Sequence, residues 1–313
     1  MNLEETRARY GQTLVELAKR DARVVALDCD LGRSTHAYRI TEVDPSRFFE
    51  MGIAEQDMIS TAAGLAKAGK IPFANSFAVF ITGRGFDQIR QQVALPKSNV
   101  KICGSSAGIT QGPDGATHQS IVDVALMRSL PNMTVLIPAD GNQTQKAVED
   151  AYEIRGPVYL RLSRYKTENF TPDDFQIGKA VNLLEGSEVA ICSTGPITWN
   201  VVRSRSILEE LGIRPTIVNF HTIKPIDDAA VIDLAGAHSI IFSVEEHSVY
   251  GGLGSALAEV LAEMPSSKGR RCRLVRLGVQ DHFGESGTAD ELLAKFRLDP
   301  AGIAGTIKDE ISK

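Results

Sequence analysis

Cysteine is scarce in this chain and never clustered: Cys29, Cys103, Cys192 and Cys272 stand far apart, with no CxxC among them. That spacing gives neither a disulfide framework nor a zinc-ligand pattern, so no metal site is expected and the four thiols read as small buried apolar groups. Long hydrophobic runs are missing too. No stretch reaches the ~18 apolar residues that a membrane-spanning helix needs. The first residues, Met1-Asn2-Leu3-Glu4-Glu5-Thr6-Arg7, are acidic and lack the apolar block of a secretory signal. Neither sign of charge dominates: 34 Lys and Arg stand against 39 Asp and Glu, and the net charge of -5 offers no broad attraction to nucleic acid or anionic lipid. Nucleic-acid and membrane partners are therefore not expected, and the cytoplasm is the default compartment.

At 313 residues the chain suits two domains, each long enough to bury a core of its own. Short apolar strands alternate with helical periods throughout. An amphipathic helix over residues 3–20 leads to a strand at 24–28 and another at 47–51. Strand and helix then recur over 71–76, 84–94, 100–103, 120–128, 134–137, 142–154 and 158–162. The pattern fails around 165–178, where Pro172 and several polar residues stand. It resumes over 187–192, 198–211, 215–219, 227–235, 239–245, 252–262 and 272–277. Such alternation predicts α/β architecture with mostly parallel sheets covered on both faces. The domains expected are 1–168 and 184–313, joined by a linker over 169–183.

Chemistry concentrates between Met51 and Gln119. Glu55 follows Met51-Gly52-Ile53-Ala54, and if a helix begins near Gln56 its carboxylate sits where a cap would. Phe77 and Phe80 follow a strand and precede Thr82-Gly83-Arg84-Gly85. Paired aromatics are commonly core, yet rings beside a glycine-bearing turn at a strand end also suit a flat heterocycle, because ligands collect beyond the carboxyl ends of parallel strands. Asp114 and His118 lie in Gln111-Gly112-Pro113-Asp114-Gly115-Ala116-Thr117-His118-Gln119. Alone they could satisfy backbone groups; with Glu55 they would put hydrogen-bonding and proton-transfer groups at one mouth of the sheet. Spacing carries the reading to an enzyme site with a flat ligand and leaves the ligand unnamed.

Ordered blocks name it. Gly52-Ile53-Ala54-Glu55-Gln56, Ser76-Phe77-Ala78-Val79-Phe80, Asp114-Gly115-Ala116-Thr117-His118-Gln119, Leu130-Pro131-Asn132-Met133, Pro138-Ala139-Asp140-Gly141-Asn142 and Leu162-Ser163-Arg164 resemble the pyrimidine-binding domain of transketolase. Val244-Glu245-Glu246-His247, Gly251-Gly252-Leu253-Gly254 and Gly284-Glu285-Ser286-Gly287 resemble the C-terminal domain of a relative, 1-deoxyxylulose-5-phosphate synthase. The resemblance implies thiamine diphosphate as cofactor. Glu55 would hydrogen-bond the pyrimidine N1′ and favour the tautomer that activates the thiazolium carbon. Phe77 and Phe80 would hold the ring, and Asp30 would join the cofactor site. His118, catalytic by the same resemblance, and Asp114 would meet the donor ketose hydroxyls. Arg164, Ser34 and Arg7 would contact substrate phosphate; Arg7 could otherwise be an exposed helix charge.

Departures from the family pattern carry expectations of their own. A third ring is replaced near Gly83, which implies a more open pyrimidine pocket. Ser106, eight residues before Asp114, stands where transketolases carry His, so one contact to the acceptor phosphate is lost. The glycines at 251–254 look like a phosphate cradle, although tight helix packing explains them equally. His221 and His247 read as structural or as subunit contacts. No Gly-Asp-Gly occurs, the motif that with a later Asn anchors magnesium and the diphosphate. The chain is thus expected to be the C-terminal subunit of a split transketolase, with Mg²⁺ ligands on an N-terminal partner and an α2β2 assembly that includes a homodimer contact. The alternative is a decarboxylating relative: the beta subunit of a 2-oxo-acid dehydrogenase, or a split deoxyxylulose-phosphate synthase.

Overall fold

The computed structural model describes residues 3–264 and 272–313. Its strands are β1 (Glu4–Glu5), β2 (Val24–Asp28), β3 (Phe48–Glu50), β4 (Ile71–Phe77), β5 (Lys101–Ser105), β6 (Thr134–Leu136), β7 (Val158–Arg161), β8 (Lys166–Thr167), β9 (Val181–Leu184), β10 (Val189–Ser193), β11 (Pro215–Asn219), β12 (Thr222–Lys224), β13 (Ile240–Ser248) and β14 (Arg273–Val279). Seven form one sheet in the order β12-β6-β7-β5-β4-β2-β3, and five form a second in the order β14-β13-β10-β11-β9. Pairings are parallel except at β12 in the first sheet and β9 in the second, which confirms the α/β class with largely parallel sheets. No helix among the described residues is long and apolar enough to cross a membrane.

The continuous apolar run of β2 is what burial on both faces requires. Val25 and Leu27 pack with Met58, Ile59 and Ala62 of the helix Glu55–Lys67. Val24 and Ala26 point the other way, against Tyr10 and Leu14 of the helix Thr6–Arg20 and Ala147 of the helix Gly141–Glu153. Because side chains alternate along a strand, one pentapeptide fixes two layers of helix.

Two elements differ from expectation. The helix expected over 84–94 is broken: an α-helix spans Ala78–Arg84, and after Gly85 a short turn, Phe86–Gln88, runs into a π-helical segment, Ile89–Ala94. Gly85 folds back so tightly that a Cβ there would lie 2.8 Å from the Ile81 carbonyl oxygen. The second is β12. It follows β11 in the chain yet leaves the second sheet and pairs antiparallel with β6 of the first, locking the two halves together. Segment 165–178 carries no helix, and Asp140 pins it by accepting from the Phe170 and Thr171 amides, both at 2.7 Å.

Candidate functional site

The first sheet reverses its winding at β2, with β3 on one side and β4 on the other. In open parallel sheets the crevice at the carboxyl ends of such strands takes the ligand. Here the loops after β2, β3, β4 and β5 line a cavity of about 390 Å³ whose walls include Asp30, Ile53, Glu55, Phe80, Arg84 and His118.

Glu55 is the first residue of its helix, and Ala54 stands at the cap position, so the expected start at Gln56 moves by one residue. The carboxylate makes no capping bond. It turns into the crevice, 3 % exposed, accepting from Ser76 Oγ at 3.2 Å and from Arg84 Nη1 at 3.0 Å on each oxygen. Phe77 closes β4 and Phe80 stands on the helix that follows, with ring centroids 6.0 Å apart and planes 17° from parallel. His118 meets Phe80 edge-on, 5.1 Å between centroids and 75° between planes. Space is open at Gly83, where an added Cβ would meet nothing within 4 Å. The wider pocket expected there is nonetheless filled in part, because the Arg84 guanidinium lies 4.2 Å from the Phe80 ring centre.

Of the other expected residues, Asp30 lines the same cavity, whereas Asp114, Arg164, Arg7 and Ser34 do not. Asp30 is exposed in a left-handed turn at φ 62°, its amide donating to Glu50 Oε1 at 2.8 Å. Asp114 lies 3.7 Å from Arg164 Nη1. Arg164 borders a separate cleft of about 670 Å³ between the two halves, with Gln111, Trp199 and Arg203. Arg7 is not an exposed helix charge: its guanidinium donates to Glu5 at 2.7 Å and to the Ser34 carbonyl at 2.9 Å, and its amide donates to the Ser163 carbonyl at 3.2 Å. Arg7, Ser34 and the Ser163-Arg164 pair therefore adjoin one another. Ser106 is fully buried at φ 52°, its hydroxyl without a partner.

Electrostatics separate useful groups from inert ones. Burial pushes the Asp28 carboxyl up to about 7, against the opposing bonds from Thr35 and Leu31. Burial likewise raises the Cys29 thiol to about 12, so the sulfur lining the cavity is a poor nucleophile. Burial lowers His221 to about 4; its ring stacks on Phe175 with centroids 4.0 Å apart. His247 is 1 % exposed; its Nδ1–H donates to the Ser248 carbonyl at 2.7 Å and its Nε2 accepts from the Ala125 amide at 3.4 Å. The 251–254 glycines hold an internal carboxyl instead of a phosphate: Glu245, its pKa raised by burial, accepts from the Leu253 and Gly254 amides at 2.7 and 2.8 Å.

Arg84 and Glu246 escaped the sequence reading. Arg84 stood in view, a cation between two glycines directly after the aromatic pair. Adjacent acids in a buried strand such as Glu245-Glu246 must find partners, and that was the available signal for the second.

Comparison with known proteins agrees along nearly the whole chain. The family model "Transketolase, pyrimidine binding domain" matches residues 4–169, and "Transketolase, C-terminal domain" matches residues 178–303. A Methanocaldococcus jannaschii protein with the provisional name transketolase C-terminal section is 45% identical over 98% of this chain and 96% of its own length. The 6-deoxy-6-sulfo-D-fructose transketolase subunit of Clostridium sp. strain MSTE9 is 41% identical, covering 95% of this chain and 92% of that one. A solved structure described as a split-gene transketolase in an inactive beta4 tetramer superposes with a TM-score of 0.88 at 43% identity, covering 97% of each chain.

Proposed function

The chain belongs to the transketolase family, as the C-terminal member of a split enzyme, and on that premise we propose that it completes a ketol transferase. With an N-terminal partner it would move a two-carbon unit from a ketose or ketose phosphate to an aldose. The observation that carries this reading is the meeting of Glu55, Phe80 and His118 in one cavity at the carboxyl edge of the first sheet. A buried carboxyl beside a pair of near-parallel rings fits an aminopyrimidine, and the family supplies thiamine diphosphate as the group that carries one. When bound, that cofactor supplies a nucleophilic carbon for breaking and remaking the bond beside the ketose carbonyl.

The residues of this chain do the rest. Glu55 shares a proton with the ring nitrogen from a site that Ser76 orients and helix packing keeps dry. Phe77 and Phe80 fix the plane of the ring. His118 and Asp114 hold donor hydroxyls, Asp30 borders the cofactor, and Arg164 with Arg7 and Ser34 binds the anionic end of the substrate. Mg²⁺ and the diphosphate fall to the partner chain, in an α2β2 assembly that retains a contact between copies of this subunit. Relatives matched along nearly their full length bear the names section and subunit, which supports the division. Ile53 supports it as well: it is 73 % exposed at the cavity wall and leaves apolar surface for a partner to cover.

Reconstitution with the N-terminal chain and a panel of ketose donors, including sulfonated and branched-chain ketoses, tests the reading. Glu55→Gln is expected to lower turnover about 100- to 10,000-fold with cofactor binding partly retained. Unchanged turnover would remove Glu55 from the chemistry. Carbon dioxide released from pyruvate, with no reaction of ketose and aldose, would replace ketol transfer by a decarboxylating activity.

A further inference from the structure

We propose that Glu246, contributed by the second sheet, is a positioning residue for the loop that bears Asp114 and His118. The inference rests on the reading of that loop as the substrate loop. The second sheet winds outward from β10, to β11 on one side and β13 on the other. The last β10–β13 pair is Ser193 with Val244, so Glu246 stands just beyond the carboxyl edge, where an open sheet of this kind would bind a ligand. What meets it is a turn of the first half of the chain. Glu246 Oε1 accepts from the Thr110 amide at 2.5 Å and from Thr110 Oγ1 at 2.6 Å. Gly108, at φ 85°, leaves room for the carboxylate, since a Cβ there would lie 2.2 Å from Glu246 Oε1. The acid is 3 % exposed, and the Thr110 donors are the hydrogen bonds that its side chain makes.

The far end of the same loop is gripped by another segment of the second half. Gln119 Nε2 donates to the Glu285 carbonyl at 2.8 Å and to the Ile109 and Gly112 carbonyls at 3.2 Å each. Gly115 faces Ser286, whose Oγ would lie 2.5 Å from an added Cβ. Between these grips Gly108, Gly112 and Gly115 all take positive φ, and the loop's own turn bonds, from the Gly115, His118 and Gln119 amides, are local and tie it to neither sheet. The position of His118 against Phe80 is therefore set from outside the loop. Glu246 fixes one end and the turn at 284–287 fixes the other, so the second half of the chain serves the cavity at Glu55 without lining it.

Amide hydrogen exchange in the full subunit tests this without any activity measurement. Glu246→Ala is expected to speed exchange across 108–119 by about tenfold or more while the helix Glu55–Lys67 keeps its protection. Glu246→Gln, whose amide oxygen can still accept from Thr110, is expected to stay close to the parent. Thr110→Val, which removes only the hydroxyl donor, should give an intermediate rate. In the reconstituted enzyme Glu246→Ala should reduce kcat/KM for the ketose about 10- to 100-fold, mainly through KM, with cofactor Kd changed less than about twofold. Unchanged exchange over 108–119, or a uniform rise along the whole chain, overturns the proposal. Faster exchange confined to the loop together with unchanged KM for the ketose would overturn it too. Ketol transfer missing from the parent enzyme would instead overturn the functional reading and leave the exchange result standing.

Discussion

Glu55 and Arg84 form an ion pair at the wall of the cavity. The carboxylate is nearly inaccessible, whereas the guanidinium is about half exposed, with side-chain exposures of 2% and 48%. Arg84 presents one nitrogen to both oxygens and spreads over Phe80, so it occupies the acid and the aromatic face that a pyrimidine would need. On the proposed function, binding of the ring would break this pair, whose exposed arginine end limits its contribution to about 1 kcal/mol. Arg84→Ala is accordingly expected to tighten thiamine diphosphate binding by about fivefold in the reconstituted enzyme, measured by fluorescence titration. Weaker binding would show that Arg84 holds the cofactor instead of competing with it. Glu55, Phe80 and His118, which the structure brings to one cavity, each stood in a short block with a fixed neighbour. Arg84 was not legible in sequence, because its role depends on a side-chain direction that Gly83 and Gly85 leave undetermined.

Glycine clusters illustrate the same limit one level up. Gly251-Gly252-Leu253-Gly254 has the composition of a phosphate loop, and the helix Leu253–Glu263 does begin there with amides free to bind an anion. The group bound there is the Glu245 carboxyl, eight residues before Leu253, and Gly252 is required because a Cβ would lie 1.9 Å from Glu245 Oε2. Nothing in the spacing of glycines tells an internal carboxylate from an external phosphate. Removing the carboxylate leaves two buried donors unsatisfied. Glu245→Ala is expected to cost about 2–3 kcal/mol, lowering the melting temperature by several degrees, with part of the loss recovered in inorganic phosphate. An unchanged melting temperature would mean that the cap contributes nothing. The strand Val24–Asp28 was readable as a continuous apolar run, and the helix Gly141–Glu153 because its pattern repeats over whole turns. A three-residue strand such as β12 is too short to display a period, and its pairing with β6 is set by tertiary packing alone.

That small strand decides how the molecule behaves as a whole. Through β12 the second half of the chain completes the first sheet, and Lys224 adds hydrogen bonds from Nζ to the Arg128 and Leu130 carbonyls at 2.9 and 2.5 Å. One buried cluster runs across the junction, including Ile137 and Val135 from the first half and Cys192, Val218 and Phe220 from the second. Polar contacts cross it as well. Arg161, paired with Asp123 at 2.7 Å, donates to the Glu246 carbonyl at 2.9 Å with almost no solvent access. Undocking would wet this apolar surface and leave buried polar groups without partners, a cost comparable with the stability of a domain. The two halves are therefore expected to unfold in one cooperative step. Trp199, the single tryptophan, packs on Phe170 with centroids 5.2 Å apart and reports on the junction, whereas far-ultraviolet circular dichroism reports on helices of both halves. In urea the two signals should share a midpoint and slope. A tryptophan transition that precedes loss of helix would show that the junction opens first, and that the second half can let go of the substrate loop while the first remains folded.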